Sequence, residues 1–252
     1  MIYLKNRDEI ERIRESNQIV AQTLSYIKGF VEPGITTGEL NREIENYINK
    51  KNGKPAFKGL YGFPSASCIS VQDEVVHGIP SFKRKLKEGE IVGIDIGVEL
   101  DGFFGDAAFT FRVGRIDKKT EGLLNVAEKS LYLGIDQLQA EKRIGDIGHA
   151  IQTHVEKHQF SVVRDLVGHG VGRKPHEDPQ VPNYGQPDKG IKLRTGMVLA
   201  IEPMVNMGSY EVYFADDEWT VKTKDGQPSA HFEHSVAITD NGPDILSTLD
   251  ME

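Results

Sequence analysis

The stretch IVGIDIGVELDGFFGDAAFTF, residues 91–111, decides the fold. Two alternating apolar runs flank the pair Asp101-Gly102, and a turn pair between such runs signals a β-hairpin. A turn centred there sets Asp95 opposite Ala108 and makes Asp106 its diagonal neighbour on the same face, with the two Cβ atoms roughly 7 Å apart. Two carboxylates at that spacing can hold metal ions between them, and in a dry site they resist ionising together without cations. A bulge at Gly105 would break the parity. The hairpin alone reads equally well as two solvated aspartates on an open sheet face, so the neighbouring sequence has to decide.

Working outward, Asn6 caps a helix with Glu9 at the capping-box position, and Ile10, Ile13, Val20, Leu24 and Ile27 keep a helical stripe up to Pro33-Gly34. Thr37 opens a second helix with Leu40, Ile44 and Ile48 on its face and Gly53 as its stop. Residues 55–70 are rich in aromatics and turn formers and read as a loop entering a strand at 67–71. After the hairpin the pattern restarts. Leu123, Leu124, Ala127, Leu131, Ile135 and Leu138 mark a third helix, and Ile144, Ile147, Ile151 and Val155 a fourth. Strand-like segments follow at 161–167, 197–204, 210–214, 218–222 and 232–238. The order helix, helix, strands, twice over, predicts an α+β chain: one catalytic domain, 1–252, with pseudo-repeat halves of about 1–112 and 113–252 around a central, largely antiparallel sheet.

Three further stretches carry chemistry. In GHGVGRKPH, residues 168–176, His169 lies between glycines, which open unusual backbone conformations and let a ligand approach. In GMVLAIEPM, residues 196–204, Glu202 ends an apolar run before Pro203, and a buried carboxylate there needs cations or donors. In HFEHSVAI, residues 231–238, Phe232, Val236 and Ile238 alternate on one face while His231, Glu233 and Ser235 take the other, which turns Glu233 to the polar side of a strand. Asp95, Asp106, His169, Glu202 and Glu233 together offer four carboxylates and one imidazole. Such a set matches two divalent cations, and its oxygen-rich character suits Mn, Fe or Co at least as well as Zn. Two metals so held would generate a hydroxide at neutral pH and polarise a carbonyl, which is hydrolase chemistry. His154 and His158 stand four apart on a helix, but Glu156 does not directly follow the first histidine as the zinc-protease motif requires, so they read as surface residues.

Composition bounds the alternatives. The chain has 252 residues, 38% of them hydrophobic, and a net charge of −8, which opposes a general nucleic-acid binder. The single cysteine, Cys68, excludes an internal disulfide framework and a cysteine-rich zinc site. The opening MIYLKNRDEI is charged early, which predicts no signal peptide, and no apolar run approaches the roughly 20 residues of a spanning helix. A cytoplasmic monomer without membrane attachment is expected.

The segments VVHGIP (75–80), IDIGVELDGFFGD (94–106), GHGVGRKPHEDPQV (168–181), GMVLAIEP (196–203), DDEWTVKTKDG (216–226) and HFEHSVAIT (231–239) closely resemble the type I, bacterial-like methionine aminopeptidases, in order and through nearly the whole chain. The resemblance implies the pita-bread fold and removal of the initiator methionine from nascent chains when the second residue is small. It implies that Asp95 binds one metal, that His169 and Glu202 bind the other, and that Asp106 and Glu233 bridge them. His77 and His176 are implied as hydrogen-bonding stabilisers of the tetrahedral intermediate, and Glu202 as the proton shuttle. Cys68, Trp219, Tyr61 and Phe63 are expected to line the methionine pocket, where a thioether against a ring gains roughly 1 kcal/mol. Departures fall at Leu166, Ala108 and Phe104, none of them a ligand. An X-Pro peptidase of the same fold shares the five ligands but carries a large additional N-terminal domain, and a binding module that has lost catalysis would have lost ligands. Lys83, Arg84, Lys85 and Lys87 form a basic cluster that reads as a solvated loop, with transient ribosome contact as its functional alternative.

Overall fold

The computed structural model describes residues 1–248. Its helices are α1 (Arg7–Lys28), α2 (Thr37–Lys50), α3 (Lys118–Ile135) and α4 (Ile144–Lys157). The expected capping box of Asn6 with Glu9 forms, and a second box, from Thr36 with Glu39, starts α2 at Thr37, so each helix starts where its local chemistry says it should. The stop of α2 differs from expectation. Asn52 takes the left-handed conformation at φ 62°, and Gly53 serves another need, since a Cβ there would sit 2.8 Å from Val98 Cγ1.

The strands are β1 (Lys54–Pro55), β2 (Cys68–Val71), β3 (Glu74–Val76), β4 (Ile91–Leu100), β5 (Phe103–Arg112), β6 (Ser161–Val162), β7 (Gly168–Gly170), β8 (Glu177–Val181), β9 (Val198–Ile201), β10 (Met204–Asn206), β11 (Val212–Phe214), β12 (Val221–Thr223), β13 (Ser229–His231), β14 (His234–Thr239) and β15 (Gly242–Ile245). The hairpin β4–β5 pairs without interruption from Ile91↔Arg112 to Leu100↔Phe103, with Asp95 opposite Ala108 and Asp106 opposite Gly97. Gly105 therefore makes no bulge. It pairs with Val98, and a Cβ on it would lie 2.6 Å from Asn17 N, so its bareness lets α1 press directly onto the hairpin.

Around the hairpin, β1 and β2 flank β4, while β15, β14, β9, β7 and β8 form a second, five-stranded sheet. Two small sheets, β13-β10-β6 and β11-β12-β3, close the remaining sides. Fewer residues enter ladders than the sequence pattern predicts. The segment 197–204 splits into β9 and β10, in different sheets, because Pro203 has no N–H to continue a ladder. The segment 218–222 begins pairing only at Val221, because Asp217 caps a turn by accepting from Trp219 N and Thr220 N at 2.9 and 2.8 Å.

The two largest apolar cores lie between α1, α2 and the hairpin and between α3, α4 and the five-stranded sheet, and Phe109 packs against both. The sheets are tied across the middle by Glu233 N donating to Ala108 O at 2.9 Å and Ser235 Oγ donating to Asp106 O at 2.8 Å. The architecture is α+β, as the pattern of elements predicts. Among the described residues no helix is long and apolar enough to cross a membrane.

Candidate active site

Where the two sheets meet, a cavity of about 610 Å³ opens, and Asp95, Asp106, His169, Glu202 and Glu233 all line it together with His77 and His176. Each acidic side chain is placed by a different backbone device. The regular ladder turns Asp95 and Asp106 to one face, and Asn17 of α1 fixes the second by accepting from Asp106 N at 3.1 Å. Glu202 follows the last residue of β9 and Glu233 precedes the first of β14, so both occupy the gap where their chains pass from one sheet to the next. There a residue escapes the alternation of a strand. Glu233 is accordingly 2% exposed, and the face expected to be polar is interior, with Ser235 and Ala237 equally buried.

His169 is held by β7, whose pairing with β8 is irregular between Gly168 and Gly170. The flanking glycines do not adopt left-handed conformations. They admit neighbouring strands, since a Cβ would lie 2.4 Å from Ala200 O at Gly168 and 2.4 Å from Asp178 O at Gly170. With Nδ1 2.9 Å from Gly170 O and donating to it, His169 presents Nε2 as a lone pair, 3.4 Å from Glu202 Oε1 and 3.9 Å from Asp106 Oδ2.

The electrostatics are those of an acidic cluster closed off from water. Burial pushes the Asp95 carboxyl up to about 7 from its ordinary 3.8. Asp106, Glu202 and Glu233 are driven well above the carboxylate range, first by burial and then by one another's charge. Burial likewise lowers His77 and His169 to about 4, so both imidazoles are neutral at pH 7. Asp95 Oδ1, Asp106 Oδ1 and Glu233 Oε1 are buried with no hydrogen-bond partner. Native interiors seldom leave such oxygens bare, and hard cations satisfy them. Ligand atoms of Asp95, Asp106 and Glu233 lie within 4.8 Å of one another, as do those of His169, Glu202 and Glu233. The residues present fit divalent cations.

One wall of the cavity is apolar. Phe57, Phe63 and Cys68 are buried together with Leu60, Ile79 and Trp219 packed against them, and Phe63 meets Trp219 edge to face at 5.1 Å. Tyr61 stands apart from this cluster. The residue is 77% exposed at the mouth and its ring stacks on His176 at 6.1 Å, while His176 meets the edge of the His169 ring at 4.6 Å. Phe57 and Leu60 were not singled out by the sequence, although Gly97 in mid-strand was a usable sign. A Cβ there would lie 2.5 Å from the Phe57 ring. His231 was also passed over as a site residue. It is buried, its Nε2 has no hydrogen-bond partner, and that atom stands 3.7 Å from Glu202 Oε2.

Away from the cavity, His158 is exposed and bonds through Nδ1 to His154 O, which leaves the i, i+4 pair on the surface of α4. Lys83, Lys85 and Lys87 are exposed on a loop, and Arg84 pairs with Glu90 at 2.9 Å.

A model of metallopeptidase family M24 matches residues 11–240. A methionine aminopeptidase of Clostridium perfringens is 54% identical over 249 residues, covering 99% of this chain and 100% of that protein. Methionine aminopeptidase 1 of Bacillus subtilis is 51% identical over 247 residues, covering 98% and 99%. The crystal structure of a methionine aminopeptidase from Thermotoga maritima superposes with a TM-score of 0.97 at 44% identity, covering 98% of this chain and 100% of that one. A prolidase from Pyrococcus furiosus shares the fold, with a TM-score of 0.79 at 20% identity, over 98% of this chain and 66% of its own. The α+β architecture is the pita-bread fold of these proteins.

Proposed function

The chain belongs to metallopeptidase family M24 and, within it, to the methionine aminopeptidases, and from that premise we propose that it removes the initiator methionine from the N-termini of nascent proteins whose second residue is small. The carrying observation is a cavity that sets three unpartnered carboxylate oxygens beside an apolar, aromatic wall. Asp95 would hold one divalent ion, His169 and Glu202 the other, with Asp106 and Glu233 shared between them. Two ions of Co, Mn, Fe or Zn suit this set. Bound there, such cations supply Lewis acidity toward a carbonyl oxygen and acidify water.

The chain's own residues do the rest. Glu202 takes the proton of the attacking water on a carboxylate oxygen and returns it to the departing amine. His77 and His176 are both lowered by burial, so each remains a neutral imidazole with one N–H to donate toward the oxygen that gains charge. Cys68, Phe63 and Trp219, with Phe57 and Leu60, receive the methionine side chain, and Tyr61 guards the mouth beside His176. Substrates of this kind emerge at the ribosome, so a cytoplasmic location and transient ribosome contact belong to the same proposal, with no membrane or specific nucleic-acid partner.

Peptides Met-Ala-Ser, Met-Leu-Ser and Ala-Pro-Ser, offered to metal-reconstituted and chelated protein, test the reading. The expected result is release of methionine from the first peptide alone, and only with metal. Cleavage of Ala-Pro-Ser alone would make the protein an X-Pro peptidase, and cleavage of none would make it a binding module.

A further inference from the structure

Lys5 and Glu177 form an ion pair far from solvent, with side chains 5% and 3% exposed and Nζ 2.7 Å from Oε2. Burying two charges is costly, so a pair kept there invites the question of what it holds. The second oxygen of Glu177 answers it. Oε1 accepts from the backbone N–H groups of Arg173 and Lys174 at 2.8 and 3.1 Å, closing the turn that carries His176. His176 lines the cavity, and among the described residues its ring contacts are with Tyr61 and His169 alone, so its place depends on this backbone.

Lys5 reaches the turn from the segment before α1. Its own N–H donates to Gly196 O at 2.7 Å, which anchors that segment on the turn leading into β9. Contact with the turn is direct, because a Cβ on Gly172 would lie 2.5 Å from Lys5 Cε. From the other side, Phe104 N donates to Gly172 O at 2.8 Å, and Glu9 of α1 holds Arg173 at 2.8 Å.

We infer that Lys5 and Glu177 are positioning residues for His176: the Glu177 carboxylate clamps the turn through two backbone donors, and the Lys5 ammonium, bonded to its other oxygen, holds that carboxylate in place. The inference rests on the role given to His176 above. Misplacing a catalytic group by about 1 Å can cost on the order of 100-fold in rate.

The test compares Lys5→Met/Glu177→Gln with Lys5→Met/Glu177→Met. Neither carries a buried charge, and only the first keeps an oxygen for Arg173 and Lys174. The glutamine variant should release methionine from Met-Ala-Ser with a kcat within about threefold of wild type, and the methionine variant should fall by roughly 10-fold to 100-fold. In a His176→Ala background, changing Glu177→Gln to Glu177→Met should cost less than about twofold, because the clamp then has nothing left to position. Lys5→Met alone should fall between the two double variants. Trypsin cleavage after Arg173, which needs no activity, should be fast in the methionine variant and slow in the glutamine variant. Equal kcat in the two double variants, or an equal loss with His176 absent, would overturn the inference. Were wild type to release no methionine, the proposed function would fail, while equal trypsin rates would still sink the clamp by themselves.

Discussion

On the floor of the cavity Asp106 and Glu233 bury carboxyl groups whose proton affinity is raised by burial and by neighbouring carboxylates, whereas on its wall Phe63 and Trp219 meet edge to face with no charge to neutralise. The wall is stabilised by the same burial that forms it. The floor is not. Its geometry is imposed by the hairpin ladder, by Asn17 beneath Asp106 and by the Glu233–Ala108 backbone bond. In a cavity built this way, changes to the floor should alter chemistry and metal affinity, and changes to the wall should alter which substrate is held.

The largest expected effect tests the floor. Glu202→Ala should lower kcat by at least about 10³-fold, since one side chain supplies both a ligand and a proton carrier. Circular dichroism should stay unchanged, and retention of most activity would refute the assigned role. Next comes the metal. Saturating Mn or Co at about 100 times its dissociation constant should stabilise the protein by about 2.7 kcal/mol, a melting shift of roughly 5–10 °C.

The sign of the pH dependence sharpens that prediction. Asp95 titrates at about 7 in the folded state, and Asp106, Glu202 and Glu233 are also raised. The folded metal-free protein therefore keeps protons that the unfolded chain has released, and its stability falls as pH rises. Buried His77, His169, His231 and His234, lowered to about 4, 4, 3 and 4, favour stability in the opposite direction. Their contribution is complete above the ordinary 6.5. Between pH 7 and 8.5 the melting temperature of chelated protein should therefore decline, and the gain on adding metal should grow.

On the wall, Trp219→Ala should raise KM for Met-Ala-Ser about tenfold, or about 1.4 kcal/mol, with kcat within about threefold. An equal fall in kcat would mean that the wall takes part in the chemistry. The smallest effect returns to the floor. Asp106→Asn should raise the stability of chelated protein by about 1 kcal/mol, because it removes a buried ionisable group whose proton affinity the fold has raised, while abolishing metal stabilisation. Destabilisation of the chelated form would show that the floor is not under electrostatic strain.

Asp95 and Asp106 were legible in the sequence because parity in a strand is local, and Asp101-Gly102 fixes it. Glu202 and Glu233 were identifiable as chemical residues, but the strands drawn through them were too long. Pro203 stops one ladder, and Phe232 and Glu233 lie outside the other. The glycines around His169 drew attention for the wrong reason, because tight packing of strands rather than unusual dihedrals requires them.

The sequence by itself determined what neighbours along the chain can decide. Helix periodicity, the capping boxes at Asn6 and Thr36, and the hairpin register all come from interactions spanning a few residues. Tertiary structure alone decided that Asp95 and Asp106 meet His169, Glu202 and Glu233, that three of their oxygens remain unpartnered, and that Lys5 lies under the turn carrying His176. Those outcomes depend on contacts between segments far apart in the chain, closed by packing and by desolvation. Neither leaves a periodic trace in the sequence.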